Sequence, residues 1–461
     1  MRRQYLLSSL LTLVMILLAA FAFTASALAV DVPLKFVKFP DGATGFLPTG
    51  QTSLKLTLEP PAGEWKLPKL TTEKPLYGLA KFGPAERLLV IDRQKSGDKY
   101  YNRIYFDANA NKDLTDDPIL DGKEEADTSA SYRRLKFEAA DTTIDVEGKM
   151  LPFSFRPELM VMNVRQYTES NLDQKVLPRF VNCYLRSNCA YMGEFKLDDR
   201  TYSMTLADAN CNGFFADVFK IRNINYPRRL WVFAQGDSFY ISSDGKPDSM
   251  DRLVYGDWLV IKDNLYKISF SPAKGSMTLT PVKENLVPLR LAMLPERLSI
   301  SVEDGKNCIM MFQPAETVMI PPGRYRLFNY EFFKEDEQGD LWRLCANATT
   351  DTPYFTVGQS DSALLEFGEP YAAVITTANV LQALTVQSQG QTKRLPPRVP
   401  LVFNIEGMGK EFIDDLSHIR GDKTNIPLSK KKNLGHRPAE PTYEITKADG
   451  EVVTKGFFEY G

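Results

Sequence analysis

Polarity in this chain alternates with a period of two, and that pattern limits the fold more than any other feature. Ser53-Leu54-Lys55-Leu56-Thr57-Leu58, Tyr202-Ser203-Met204-Thr205-Leu206 and Ser276-Met277-Thr278-Leu279-Thr280 each place an apolar side chain at every second position. Successive side chains of an extended strand point to opposite faces, so such runs bury one face and wet the other. Gly and Pro interrupt at short intervals, and the aromatic share of 11% suits pleated, half-buried surfaces. Apolar repeats of helical period are scarce. The best is Glu411 to Arg420, with Phe412, Leu416 and Ile419 on one side and Gly421 as a stop, which predicts one short helix. The chain therefore reads as mainly β.

A chain of 461 residues is long enough for several cores. Three β modules are expected after the leader: 30–162, 163–286 and 287–461. In the first, Thr142 to Val146 leads into a Glu147-Gly148 turn; in the second, Trp258 to Ile261 and Leu265 to Phe270 read as strands. In the third, Val318 to Leu327 reads as strand, tight turn at Pro321-Pro322-Gly323, strand, which predicts a β-sandwich-like module. Thr392 to Pro400, rich in Pro and basic residues, either divides this module or forms one long loop. Tyr443-Glu444-Ile445, Asp449-Gly450 and Phe457 to Tyr460 predict a final hairpin.

The N-terminus has the layout of an export signal over residues 1–29. Arg2 and Arg3 precede an apolar run from Leu10 to Phe23, and Ala27-Leu28-Ala29 offers small residues for cleavage. The Arg pair resembles a twin-arginine signal, but Met1 precedes it and the apolar run is strong, which favours the general secretory route. An uncleaved anchor is the plainer alternative. No Cys follows closely enough for a lipoprotein. Removing 29 residues takes away two of 56 basic residues and none of 58 acidic ones, leaving a net charge of −4. That balance gives no general attraction to nucleic acid or to an anionic membrane. The expected location is periplasmic or extracellular.

Five cysteines in an exported chain permit disulfides and leave at least one unpaired. Cys183–Cys189 and Cys308–Cys345 are the expected pairs, with Cys211 left over. No Cys-x-x-Cys occurs, so zinc-ribbon or thioredoxin-type chemistry has no support.

One polar loop occurs twice. Asp107-Ala108-Asn109-Ala110-Asn111 is closed by Asp116, and Asp208-Ala209-Asn210-Cys211-Asn212 by Asp217, at the same offset. Oxygen side chains at alternate positions followed by a carboxylate are the donors that a hard cation such as calcium takes. These segments resemble EF-hand-type calcium loops and their relatives in bacterial extracellular proteins, with Asp107, Asn109 and Asn111, and Asp208, Asn210 and Asn212, at positions 1, 3 and 5. Asp113 falls at position 7 of the first loop, and Gly213 at the turn position 6 of the second. The chain departs from the pattern at position 12, where Pro118 and Phe219 cannot chelate, and at Lys112, which replaces the turn Gly. The preceding segments look like strands. The resemblance therefore implies isolated loops on a sheet, with Asp116 and Asp217 replacing the missing Glu and Asp117 as a spare. The expected ligands are Asp107, Asn109, Asn111, Asp113, Asp116, Asp208, Asn210, Asn212 and Asp217. The more acidic first loop is expected to bind more tightly. The alternative is an Asx-rich turn that needs no metal. A third acidic stretch, Asp244 to Asp251, has looser spacing and reads as a solvated turn.

Catalytic signatures are absent from the sequence. Any histidine-dependent site would have to use His418 or His436, the two histidines. Neither G-x-S-x-G nor H-E-x-x-H occurs. Gly407-Met408-Gly409-Lys410-Glu411 lacks the residues of a phosphate loop and reads as a strand-end turn. Lys430-Lys431-Lys432 reads as a solvated loop. The sequence thus predicts a secreted calcium-binding β protein with a structural, adhesive or binding role. The alternative is an accessory or catalytic part of extracellular polysaccharide processing with structural calcium. The partner class left open is an extracellular glycan or protein, and no catalytic residue is assigned.

Overall fold

The structure is a computed structural model. It describes residues 29–458 except 42, 44–46, 126–131, 163–177, 179, 227–228, 246, 338, 359–361, 378–384, 389–390, 395–400 and 420–439. The leader, Lys430-Lys431-Lys432 and His436 lie outside the described residues. Within them the protein is almost entirely β, in many sheets, as the alternation predicts. No helix among them is long and apolar enough to cross a membrane.

A twelve-stranded sheet runs from Val30–Pro33 through Ser276–Pro281, Asn264–Ser271 and Trp258–Ile261 to Cys308–Phe312. It continues through Arg297–Val302, Gly323–Glu335 and Leu341–Asn347 to Phe412–Ile419, Leu401–Glu406 and Ala372–Thr377, and the twelfth strand, Tyr354–Val357, pairs with the start of Gly323–Glu335. Trp258–Ile261 and Cys308–Phe312 pair in parallel. A three-stranded sheet of Thr317–Ile320, Val287–Leu291 and Ala363–Leu365 covers one face. Leu289, Leu291, Val318 and Ile320 share a core there with Leu298, Ile300, Met311 and Leu344. That two-layer packing is the sandwich expected of the C-terminal part. The strands flanking Pro321-Pro322 form as predicted but belong to different layers.

The N-terminal two-thirds adds four further sheets among the described residues, of six, five, five and two strands, and the three larger ones surround one core. Residues as distant in sequence as Val32, Phe82, Phe155, Phe219 and Phe312 belong to the same cluster. Phe82, Phe106 and Phe155 lie at its centre, with ring centroids 4.7 to 6.1 Å apart. Strand pairing crosses both expected module boundaries. Lys149–Met162 pairs with Val181–Ser187, and Trp258–Ile261 with Cys308–Phe312.

Two expectations are corrected. Phe412–Ile419 is a strand paired with Leu341–Asn347, not a short helix. The spacing of Phe412, Leu416 and Ile419 is overridden by an available sheet edge, with a register shift at Cys345/Ala346 absorbing the mismatch. The expected disulfides do not form, and all five cysteines are free. Cys183 and Cys189 lie on successive strands of different sheets that diverge at buried Asn188, whose Nδ2 donates to Phe39 O at 3.0 Å. Cys308 and Cys345 lie on strands separated by two others, Arg297–Val302 and Gly323–Glu335. Three strand spacings of about 4.8 Å put them far beyond the reach of an S–S bond.

Candidate functional site

The first loop joins Arg103–Phe106 to Ile119–Asp121, neighbouring strands of one sheet. Asp107 is fully buried at the strand end. Its Oδ1 accepts the Asn111 N–H at 3.1 Å, whereas Oδ2 is buried with no hydrogen-bond partner. Turns then follow one another: Asn109 Oδ1 accepts from Asn111 N at 2.9 Å, Asn111 Oδ1 from Asp113 N at 2.7 Å, and Asp113 Oδ1 from Thr115 N at 2.9 Å. These are Asx turns. Asn111 Nδ2 donates to Asp116 Oδ2 at 2.9 Å, which closes the loop by a hydrogen bond.

Asp117, a spare in the sequence reading, occupies a more central place. Its carboxylate receives the backbone N–H groups of Ala108 and Asn109, and its Oδ2 is buried without a partner. Burial pushes its acid form up to about 6, and Asp107 and Asp116 add to the rise. Burial likewise raises Asp107. Asp113 differs. Lys66 Nζ stands 2.6 Å from its Oδ2 and holds it down at about 2, so this expected ligand already has a cation.

The second loop joins Arg200–Ala207 to Lys220–Tyr226. Asp208 is fully buried, and both oxygens are occupied. Oδ1 accepts from Asn210 N and Asn212 N, each at 3.2 Å, and Oδ2 from Gly213 N at 2.7 Å. Asn210 and Asn212 donate their amides to Asp217 Oδ2 at 2.9 and 2.6 Å, so this closing Asp gathers both Asn side chains where Asp116 takes that of Asn111. Asn210 Oδ1 is buried with no partner.

Both loops adopt left-handed backbone at the same positions. Ala110 and Cys211 have φ of 61° and 55° at position 4, and Lys112 and Gly213 have 65° and 88° at position 6. Lys112 thus accepts a turn conformation that ordinarily favours glycine. In the second loop space is tight as well, because a Cβ at Gly213 would lie 1.9 Å from Ile144 Cδ1 and force that side chain to move.

Asp237 is the residue that sequence reasoning missed. It is fully buried. Its Oδ1 accepts the Ala209 N–H at 2.9 Å and its Oδ2 the Asp217 N–H at 2.7 Å, clamping both ends of the second loop. It receives the N–H of Ala209 as Asp117 receives that of the equivalent Ala108. Burial, with Asp208 beside it, raises its acid form; burial raises Asp208 too. A lone Gly-Asp pair 28 residues past Ala209 carries no signal of this role in the sequence.

The remaining candidates have ordinary roles. Asp251 is ion-paired with buried Arg297. His418 stacks on Trp342 with ring centroids 5.1 Å apart, and its Nε2 lies 3.2 Å from Asp340 Oδ1. Glu411 turns inward, where its Oε1 accepts from Tyr330 Oη at 2.9 Å and Gly368 N at 2.6 Å.

Unpartnered Asp107 Oδ2 and Asp117 Oδ2 are acceptors without donors, which suits a hard cation. Among the described residues no three His, Cys, Asp or Glu side chains converge closely enough to hold a metal. A cation at either loop would therefore draw on Asn and backbone oxygens as well. Fold and loops define a mainly β, multi-module protein with a duplicated Asp/Asn loop. No family model, no curated protein and no solved structure matches the chain.

Proposed function

We propose that this is an exported calcium-binding β protein whose role is structural, adhesive or binding, with the first loop as its principal calcium site. The observation that carries the reading is the buried Asp107 Oδ2, which has no hydrogen-bond partner, beside Asp117 with an orphaned oxygen of its own. Leaving a buried carboxylate oxygen unsatisfied is costly, and a cation removes that cost while cancelling the repulsion between neighbouring carboxylates. Asp107, Asn109, Asn111, Asp116 and Asp117 are the residues that would supply oxygens. Calcium there would fix the loop against the sheet.

Calorimetric titration of chelator-treated protein is the test. Binding in the range of about 10⁻⁴ to 10⁻³ M, with a rise in melting temperature, is the expected result. No heat and no shift at millimolar calcium removes the reading.

The second loop supports a different reading, that of a turn closed by its own hydrogen bonds. Asp208 and Asp237 between them accept five backbone N–H groups and leave no carboxylate oxygen unpartnered. Calcium binding there is expected to be the weaker of the two.

A further inference from the structure

The face of the twelve-stranded sheet turned away from the C-terminal core packs on the larger core at Met310 and Phe312 and becomes polar on the strands beyond them. Alternation, offset by one bulge at Ser299/Ile300, puts Leu298, Ile300, Tyr330, Leu344 and Ala346 in the apolar core on one side. The opposite side receives Ser299, Asn329 and Asn347, which lie directly across from one another on three adjacent strands. Arg297, Glu331 and Arg343 flank them. A cavity of about 220 Å³ opens between this face and the segment Ser249–Arg252. It is separate from both Asp/Asn loops.

Its wall is built on buried charge. Arg297, 2% exposed, pairs with Asp251 and, at 3.0 Å, with Glu331. Arg343 bonds Glu331 and, at 3.0 Å, Asp415. Nε of Arg297 is nevertheless buried without a partner. Neither the Asn329 nor the Asn347 amide has a hydrogen-bond partner among the described residues. Arg252 uses only Nε, which donates to Ser238 Oγ at 3.0 Å.

Two features define what would fit. The positive charges of Arg252, Arg297 and Arg343 are balanced by Asp251, Glu331 and Asp415, so a charged ligand would bring uncompensated charge into a half-enclosed site. The unused groups are guanidinium donors and amides that both donate and accept, and hydroxyl groups complement that mixture. The volume equals that of about seven liquid waters at roughly 30 Å³ each, which one sugar ring fills. We propose that the cavity between the polar sheet face and Ser249–Arg252 binds a neutral, hydroxyl-rich small molecule of the size of a single sugar unit.

Saturation-transfer NMR and calorimetry on the full chain test this, with glucose, galactose and N-acetylglucosamine as probes and glucuronate and glucosamine as charged counterparts. At least one neutral sugar should bind at about millimolar affinity, a range in which the loss of one or two hydrogen bonds is readily seen. Asn329→Ala combined with Asn347→Ala should weaken that binding about tenfold without moving the melting temperature, because neither amide bonds the protein. Arg252→Ala, at an exposed position, should weaken it severalfold. Failure of every neutral sugar to bind, tighter binding of a charged counterpart, or unchanged affinity in the double variant would each overturn the proposal.

Discussion

Asp107→Asn separates a calcium ligand from a turn-forming residue. Asparagine keeps Oδ1, which accepts the Asn111 N–H at 3.1 Å, and puts an amide where Oδ2 is buried without a partner. Without calcium, two effects oppose. The buried negative charge is relieved, but the new amide N–H groups are unsatisfied, at a cost of about 1–3 kcal/mol. They should offset to within about 1 kcal/mol. With calcium, a site of about 10⁻⁴ M affinity gives wild type about 2.7 kcal/mol at a hundredfold excess over that value, and the variant should lose this increment. Urea unfolding with chelator and with about 10 mM calcium measures both. A variant that keeps the whole increment would refute the assignment of Asp107 as a ligand. Asp107→Ala is a poorer probe. It also removes the acceptor of a loop N–H, so about 1–3 kcal/mol should be lost in both conditions.

Without calcium, stability should fall as pH rises. Burial holds the Asp208 and Asp237 carboxyls above their ordinary range, so the folded protein keeps protons that the unfolded chain releases above about pH 4. The stability present below that pH is lost as pH climbs through the raised values. Urea midpoints at about pH 5, 7 and 9 check this, and Asp237→Asn should flatten the fall; an unchanged slope would rule out the pair as its source. Arg297→Ala should cost about 3–5 kcal/mol in urea unfolding, since it takes the guanidinium partner from buried Asp251 and one of two from Glu331, which keeps Arg343. All five cysteines should label with a thiol reagent after unfolding without reductant, and reductant should leave the melting temperature unchanged.

The alternating runs were legible because period two maps directly onto a half-buried strand. Tyr202 to Leu206 lies inside Arg200–Ala207, and Ser276 to Thr280 inside Ser276–Pro281. The run Ser53 to Leu58 alternates just as cleanly, yet it splits at Lys55 between two sheets, which no local pattern encodes. Phe412–Ile419 shows the converse, a weak helical spacing overridden by strand pairing. In the loops, repetition made Asp107, Asp116, Asp208 and Asp217 visible. Asp237 was not visible, because its place comes from tertiary folding rather than from spacing.

The two loops do not stiffen separate modules. They meet the same strand, Ala140–Val146. At one end of it, Thr142 Oγ1 donates to Ala108 O at 2.6 Å, and Arg87 reaches from Asp107 O at 3.3 Å to Thr143 O at 2.6 Å. One residue further on, Ile144 packs against Gly213 of the second loop and against Gly83, whose N–H donates to Asn212 O at 2.7 Å. Ile144 is itself 2% exposed and belongs to the large shared core. Order imposed on either loop is therefore transmitted to one strand and one core. Both loops stand on that core, so a ligand favouring the folded state at one loop stabilises the other against unfolding.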